Sequence, residues 1–258
     1  NRALLDALRV AAVSDVRSGL DAFKLALSYD AMGNAEIREQ LVRFADAVTG
    51  SSQIPDDFKM EVFRLALAEA QKSIDENPLD PRPLLFIGVL YNRAQLYDES
   101  VAAFRKALTL APNKQQILFE LADVHLRSEQ YKQALELIEK AYNLEPRFAF
   151  ARLNLIATLI LDGQIERSDK LLAEHNLLHS PEKVLLQAYA KVGDIWRLAR
   201  VFKNFVREYP EEWVYRDNLV RNLVKLGDSA GARAVLDEAA RRQEFIDKAV
   251  ALSRELGL

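Results

Sequence analysis

The sequence predicts an all-α solenoid built from short helix pairs, and two regularities predict it. Five prolines follow one another at intervals of 34, 34, 35 and 29 residues, namely Pro78, Pro112, Pro146, Pro181 and Pro210. Because proline cannot continue a helix interior, each marks a point between two helices. The stretches YDESVAAFRKALTLAPN (97–113) and YKQALELIEKAYNLEPR (131–147) also share one amphipathic skeleton. A fixed period of roughly 20–50 residues is typical of repeats that bury their apolar faces on their neighbours.

Composition and charge argue against several classes of function. Of the 258 residues, half are apolar, and 35 Lys plus Arg against 38 Asp plus Glu give a net charge of −3. Without a basic excess, nucleic acid is not an expected partner. The absence of cysteine excludes disulfides, thiolate metal sites and cysteine nucleophiles. No apolar run approaches the roughly 18 residues of a membrane span, and the start at Asn1 rather than Met suggests an excised segment of something longer.

The N-terminal third, residues 1–78, predicts degenerate helix pairs. Ala7 and Val10 hold repeat-like positions in the first pair. Apolar residues at helical spacing then predict one helix over 34–49 and a long one over 55–77. The stretch between these two helices is rich in Gly and Ser and is expected to be a loop.

The regular repeats occupy residues 79–244. Their later turns are marked by Asp-Gly at 162–163 and by Gly-Asp at 193–194 and 227–228, pairs that favour tight turns. Residues 245–258 predict a capping helix. About seven pairs therefore cover the chain, which we expect to form a single solenoid domain.

These positions resemble the tetratricopeptide repeat (TPR) family. Its pattern of a large residue, Leu-Gly and Tyr, then Ala, an aromatic, Ala and Pro, is met by Leu84, Ile87-Gly88, Tyr91, Ser100, Phe104, Ala107 and Pro112. The resemblance implies a right-handed superhelix whose first helices line a groove for a protein or peptide. The small residues at Gly88 and Ser100 imply close helix approach, so Gly88→Leu is expected to cost about 1–3 kcal/mol.

The family's groove positions carry over to the first helix of each repeat. In the repeats from 81 and 115, they are Arg82, Phe86, Val89, Asn92, Gln116, Phe119, Glu120, Asp123 and Arg127. In the later repeats, they are Phe150, Asn154, Lys183, Gln187, Asn218 and Arg221. Apolar residues beside mixed charges favour an amphipathic helix or an extended peptide as the ligand.

Catalytic chemistry is not predicted. His175 and His179 are four residues apart, a spacing that fits two imidazoles on one metal, but Pro181 follows at once and a frayed helix end is the expected structure. His125 stands where the preceding repeat has Tyr91, so we expect it to be packed in the core. The sequence has no phosphate-binding glycine loop, serine elbow or metal-ligand cluster. We therefore predict no catalytic residue, no metal and no cofactor.

The segment 1–41 also resembles the region after the last membrane span in bacterial O-antigen-ligase-like proteins. The shared residues are Phe23, Ala26-Leu27, Gly33, Glu36 and Arg38-Glu39-Gln40-Leu41. The resemblance implies a non-catalytic appendage of a polytopic protein of surface-glycan assembly, tethered to the inner membrane on a face that it does not define. Two alternatives stay open: a free-standing TPR adaptor or chaperone-like protein, and a regulatory module that binds a small ligand or glycan.

Overall fold

Helices joined by short turns make up the part of the chain that the computed structural model describes, residues 16–29 and 34–258. Within these ranges every regular element is helical, which confirms the all-α prediction. The elements are α1 (Val16–Ser28), α2 (Asn34–Gly50), α3 (Asp56–Glu76), α4 (Pro81–Arg93), α5 (Tyr97–Leu110), α6 (Gln115–Arg127), α7 (Tyr131–Leu144), α8 (Ala149–Leu161), α9 (Ile165–Glu174), α10 (Lys183–Val192), α11 (Ile195–Glu208), α12 (Trp213–Lys225), α13 (Ser229–Ala239), a 3-10 turn (Gln243–Phe245) and α14 (Ile246–Leu256).

The chain divides into two compact units, of which unit 1 ends at Leu144 and unit 2 begins at Glu145. In unit 1, α1 packs on α2, and three helix pairs follow: α2 with α3, α4 with α5, and α6 with α7. Unit 2 contains the pairs α8 with α9, α10 with α11, and α12 with α13, and α14 then packs on the last pair. The single domain expected over 1–258 stays a prediction.

The predicted helices of the N-terminal third are present wherever the chain is described. Helices α2 and α3 match the expected spans 34–49 and 55–77 to within a residue at each end. Phe23, Ala26 and Leu41 are all at most 2% exposed and belong to the core of unit 1. Ala7, Val10 and Gly33 lie outside the described residues.

A close contact between α4 and α5 confirms the role predicted for small residues. A Cβ atom added at Gly88 would stand 2.6–2.8 Å from three ring atoms of Phe104. The Ser100 hydroxyl lies opposite and donates a 2.7 Å hydrogen bond to the Gly88 carbonyl. A larger residue at either position would therefore force the two helices apart.

The turns of unit 2 follow the chemistry that the sequence predicts. Gly163, Gly193 and Gly227 adopt φ values of 78°, 71° and 77°, in the left-handed region that favours glycine. Asp194 and Asp228 begin the next helices, and their carboxylates accept backbone hydrogen bonds of 3.0 and 2.8 Å from the first turn. The chain thus reverses within a few residues between the two helices of each pair.

An ion-pair cluster joins α2 to α3. Arg38 is only 6% exposed; its guanidinium donates to Glu69 at 3.1 Å and to the two carboxylate oxygens of Glu76 at 2.5 and 2.9 Å. The hydrogen bond with Glu76 raises the pKa of Arg38 above its ordinary value. This cluster gives Arg38 a structural role within unit 1.

Candidate partner-binding surface

The first helices of three consecutive pairs in unit 1 lie side by side, because α2 contacts α4 and α4 contacts α6. Two polar contacts join them near their C-terminal ends. The Asn92 amide nitrogen donates to Asp123 at 2.8 Å, and the Arg93 guanidinium donates to Asp46 at 2.6 Å. We call the side of α2, α4 and α6 that carries Asp46, Phe86, Val89, Asn92, Arg93, Phe119, Glu120, Asp123 and Arg127 the first-helix surface.

Five charges meet on the first-helix surface, and one of them, Glu120, has no hydrogen-bond or ion-pair partner among the described residues. Asp46 is paired with Arg93, and Asp123 accepts a 2.7 Å hydrogen bond from Arg127. Glu120 is half-buried and makes no hydrogen bond or ion pair with any residue that the structure describes. Burial raises the pKa of Glu120, and the negative charges of Asp123 and Asp46 raise it further, whereas Arg93 and Arg127 lower it. The ionised carboxylate is therefore held at a cost in free energy.

Apolar side chains accompany these charges. Phe86 and Val89 of α4 are half-buried and pack against the core of unit 1. Phe119 of α6, next to Glu120 in the chain, is half-buried as well. The surface thus offers part of each ring or branched side chain to solvent, and a partner can cover them without any rearrangement of the core.

Arg82 and Phe86 also line a cavity of about 530 Å³ between α2, α3 and α4. Arg38 and Glu76 form its polar wall. Arg82 is held at the rim, because its guanidinium donates to the Asp80 carboxylate at 2.7–3.0 Å. This pairing lowers the pKa of Asp80 and restrains the Arg82 side chain.

The predicted residues of unit 1 divide into accessible and structural ones. Asn92 is only 7% exposed, so a partner can reach little of its side chain. Its amide instead holds the Asp123 carboxylate in place. Gln116 is exposed and makes no hydrogen bond or ion pair within the described chain. Asp46 and Arg93 were missed by the sequence analysis. Arg93 directly follows Asn92, but no spacing rule indicates a pair between residues 47 positions apart.

The predicted residues of unit 2 form a less connected set. Phe150 is 53% exposed, with its ring 5.8 Å from that of Phe148, and its carbonyl accepts a hydrogen bond from Asn154. Arg221 is taken up by ion pairs to Asp217 and Glu255 at 3.0 and 2.7 Å. Lys183 and Gln187 are exposed and make no hydrogen bond or ion pair among the described residues. Asn218 donates a hydrogen bond to the carbonyl of Val214.

One of the three histidines, His125, has a side chain packed in the core. His125 is 6% exposed, with Nδ1 2.6 Å from the Gln130 side-chain oxygen, as expected for a packed residue. His175 ends α9, and the carbonyl of His179 accepts a hydrogen bond from Arg207. Over 16–29 and 34–258 no cluster of His, Cys, Asp and Glu could hold a metal ion. None of the helices in these ranges is long and apolar enough to cross a membrane.

Sequence comparison identifies the repeats directly. Residues 53–114 and 115–148 match two family models, each described as tetratricopeptide repeat. No curated protein matches the chain. Residues 53–148 thus match tetratricopeptide repeats, a type of repeat suited to protein–protein interaction.

Solved structures share the fold at low sequence identity. A tetratricopeptide repeat protein from Parabacteroides merdae has a TM-score of 0.60 and 13% identity, and the match covers 98% of each chain. PilW, described as a widely conserved type IV pilus biogenesis factor, has a TM-score of 0.55 and 16% identity, with 81% of this chain and 94% of that chain covered. PilF from Pseudomonas aeruginosa has a TM-score of 0.52 and 17% identity over 84% and 94%. These matches establish the fold alone.

Proposed function

We propose that this chain is a non-catalytic tetratricopeptide-repeat scaffold whose first-helix surface in unit 1 binds a peptide segment of a partner protein. The observation that carries the proposal is Glu120, a half-buried carboxylate without a partner in the described chain, flanked by Phe119 and close to Asp46 and Asp123. A ligand that brings a Lys or Arg side chain to Glu120 offsets the cost of keeping it ionised. The proposed ligand is thus a segment with one basic residue beside apolar ones.

The physical basis is complementarity of both charge and apolar surface. Hydrogen bonds to charged groups contribute about 1.5–3 kcal/mol, and a partner cation at Glu120 would also reduce the repulsion from Asp46 and Asp123. Phe86, Val89 and Phe119 add apolar area that a partner side chain can cover. A few such residues usually supply most of the binding energy of an interface.

A pull-down with matched variants tests this proposal. The double variant Phe119→Ala with Glu120→Lys should lose a partner that the wild type recovers from an extract of the native cells, while its far-UV circular dichroism stays unchanged. Glu136→Lys makes the same charge change at an exposed position on α7, a second helix, and should keep the partner. Equal recovery by both variants would count against the first-helix surface.

We also propose, from the resemblance of residues 1–41 alone, that the scaffold is an appendage of an O-antigen-ligase-like membrane protein. The gene sequence upstream of Asn1 tests this. Several hydrophobic spans encoded in the same reading frame would support an appendage. A start codon with no spans before it would instead favour the free-standing adaptor or chaperone-like protein, and saturable binding of sugars would favour the small-ligand module.

A further inference from the structure

Unit 2 contains a second groove, which is separate from the predicted residues. It lies between α11 and α13, with α12 as its floor, and has a volume of about 720 Å³. Leu219 and Leu223 of the floor and Val235 of the α13 wall supply apolar surface. Trp196 stands at the rim on α11 with 59% of its surface exposed. We call this feature the α11–α13 groove.

The α11 wall of the groove is basic. Trp196, Arg200 and Lys203 line the groove at intervals of four and three residues, which places them along one face of α11. The guanidinium of Arg200 lies 5.5 Å from the Trp196 ring centre and 3.7 Å from the carboxylate of Asp169. Lys203 is exposed and has no acidic partner in the described chain. An exposed aromatic ring beside unpaired positive charge is thus available to a ligand.

A deeper cation lines the same groove. Arg216 on α12 is 3% exposed, and its guanidinium donates to the carbonyl of Pro210 and lies 5.1 Å from the Phe245 ring centre. Among the described residues it forms no ion pair with a carboxylate. Burial lowers the pKa of Arg216, and the nearby charge of Arg242 lowers it further. A buried guanidinium without a carboxylate gains free energy when a ligand supplies one.

The groove's own carboxylates do not satisfy these cations. Two acidic residues line it, Asp228 and Glu238. Asp228 caps α13 by accepting a 2.8 Å hydrogen bond from the backbone nitrogen of Gly231. Glu238 is exposed and forms no ion pair with Arg216 among the described residues, although its charge and those of Glu211 and Glu244 raise the pKa of Arg216. The groove therefore keeps a positive character beside an apolar floor.

We infer that the α11–α13 groove binds an acidic, apolar peptide segment of a partner protein, with its apolar side chains on Leu219, Leu223 and Val235 and its carboxylates at Lys203 and Arg216. A peptide fits better than an anionic lipid surface, because a flat surface at Trp196 would leave the buried Arg216 without a contact. This site lies in a different unit from Glu120 and carries the opposite charge. The inference therefore stands or falls independently of the proposed function of unit 1.

A displayed library of random peptides tests the inference. Peptides are selected on the wild-type chain and then counted on Lys203→Glu, with Arg233→Glu as the matched control, since Arg233 is an exposed cation of α13 outside the groove. We expect the wild type to enrich sequences that combine Asp or Glu with Leu, Ile or Phe. Their affinity should fall about tenfold in Lys203→Glu, which corresponds to one lost ion pair, and stay unchanged in Arg233→Glu.

Trp196 provides a direct readout of the same experiment. Emission from the wild type should shift when an enriched peptide binds, and Trp196→Phe should lose the shift, since Trp213 lies outside the groove. Three outcomes would overturn the inference: no acidic enrichment, equal affinity for Lys203→Glu and Arg233→Glu, or a Trp196 shift with phosphatidylserine vesicles and none with peptides. The last of these would identify a lipid surface instead.

Discussion

Gly88→Ala is the sharpest test of how the helix pairs of unit 1 are packed. The added Cβ would stand 2.6–2.8 Å from three atoms of the Phe104 ring, closer than carbon atoms approach without a shift of the structure. Phe104 is fully buried, so that its ring has no free space to move into. Overpacking a core costs about 1–3 kcal/mol, and the three simultaneous contacts place this site in the upper half of that range.

Helix propensity partly offsets this cost. Alanine is favoured over glycine inside a helix by about 0.5–1 kcal/mol, so the net loss is about 1.5 kcal/mol. With a urea m-value of roughly 2 kcal/mol per molar, the unfolding midpoint should fall by about 0.7 M. Urea titration followed by far-UV circular dichroism measures this shift.

Gly50→Ala provides the matched control. Gly50 is the last residue of α2, and a Cβ there would lie 3.8 Å from atoms of Arg93, an ordinary contact distance. Its midpoint should be unchanged or slightly raised. Combining Gly88→Ala with Phe104→Leu should cost less than the sum of the two changes, because the smaller side chain relieves the clash. If Gly88→Ala and Gly50→Ala unfold at the same urea concentration, the inference that α4 and α5 are in close contact at Gly88 and Phe104 is wrong.

The remaining predictions concern an ion pair, a carboxylate and a turn. Arg38→Met leaves the buried carboxylate of Glu69 with Lys72 as its remaining partner, at 2.6 Å, and should lower the free energy of unfolding by less than the roughly 3 kcal/mol expected for an unpaired buried charge, whereas adding Glu69→Leu should recover part of the loss; a smaller loss in the single variant than in the double one would contradict this reasoning. Glu120 has a raised pKa in the folded state, so its charge destabilises the fold above that pKa and the penalty vanishes below its ordinary value near pH 4.3. Glu120→Gln should therefore raise the urea midpoint at pH 7 and leave it unchanged near pH 4, and an equal gain at both values would refute it. Gly193→Ala puts a side chain at φ 71° and should cost about 1 kcal/mol by calorimetry, and no loss would show that the turn adjusts freely.

The helix pairs could be predicted because their signals are local. Prolines, Asp-Gly turns and apolar spacing act within one repeat. The close helix contact at Gly88 is likewise predicted from the position of this glycine within its repeat. The isolation of Glu120 could not be predicted, since it depends on Arg93 being taken by Asp46, a residue of another pair. The α11–α13 groove likewise arises from three helices, and only the spacing of Trp196, Arg200 and Lys203 on α11 indicates it in the sequence.

Arg38 illustrates the opposite case. It belongs to the short motif on which the resemblance to O-antigen-ligase-like membrane proteins rests. Its ion pairs with Glu69 and Glu76, however, join α2 to α3, a packing role that Arg38 would have in any protein with these two helices. A sequence motif alone cannot distinguish a residue that serves packing from one that serves an activity.

The pairing of Arg127 with Asp123 has a consequence for how long a ligand stays on the first-helix surface. The side chain of Arg127 is 47% exposed, so a ligand cation that reaches Asp123 would compete with Arg127 for this carboxylate. Such an exchange replaces one ion pair of Asp123 by another, so it adds little to the free energy of binding. If the first-helix surface binds a basic segment as proposed, such an exchange would affect the association rate more than the lifetime of the complex.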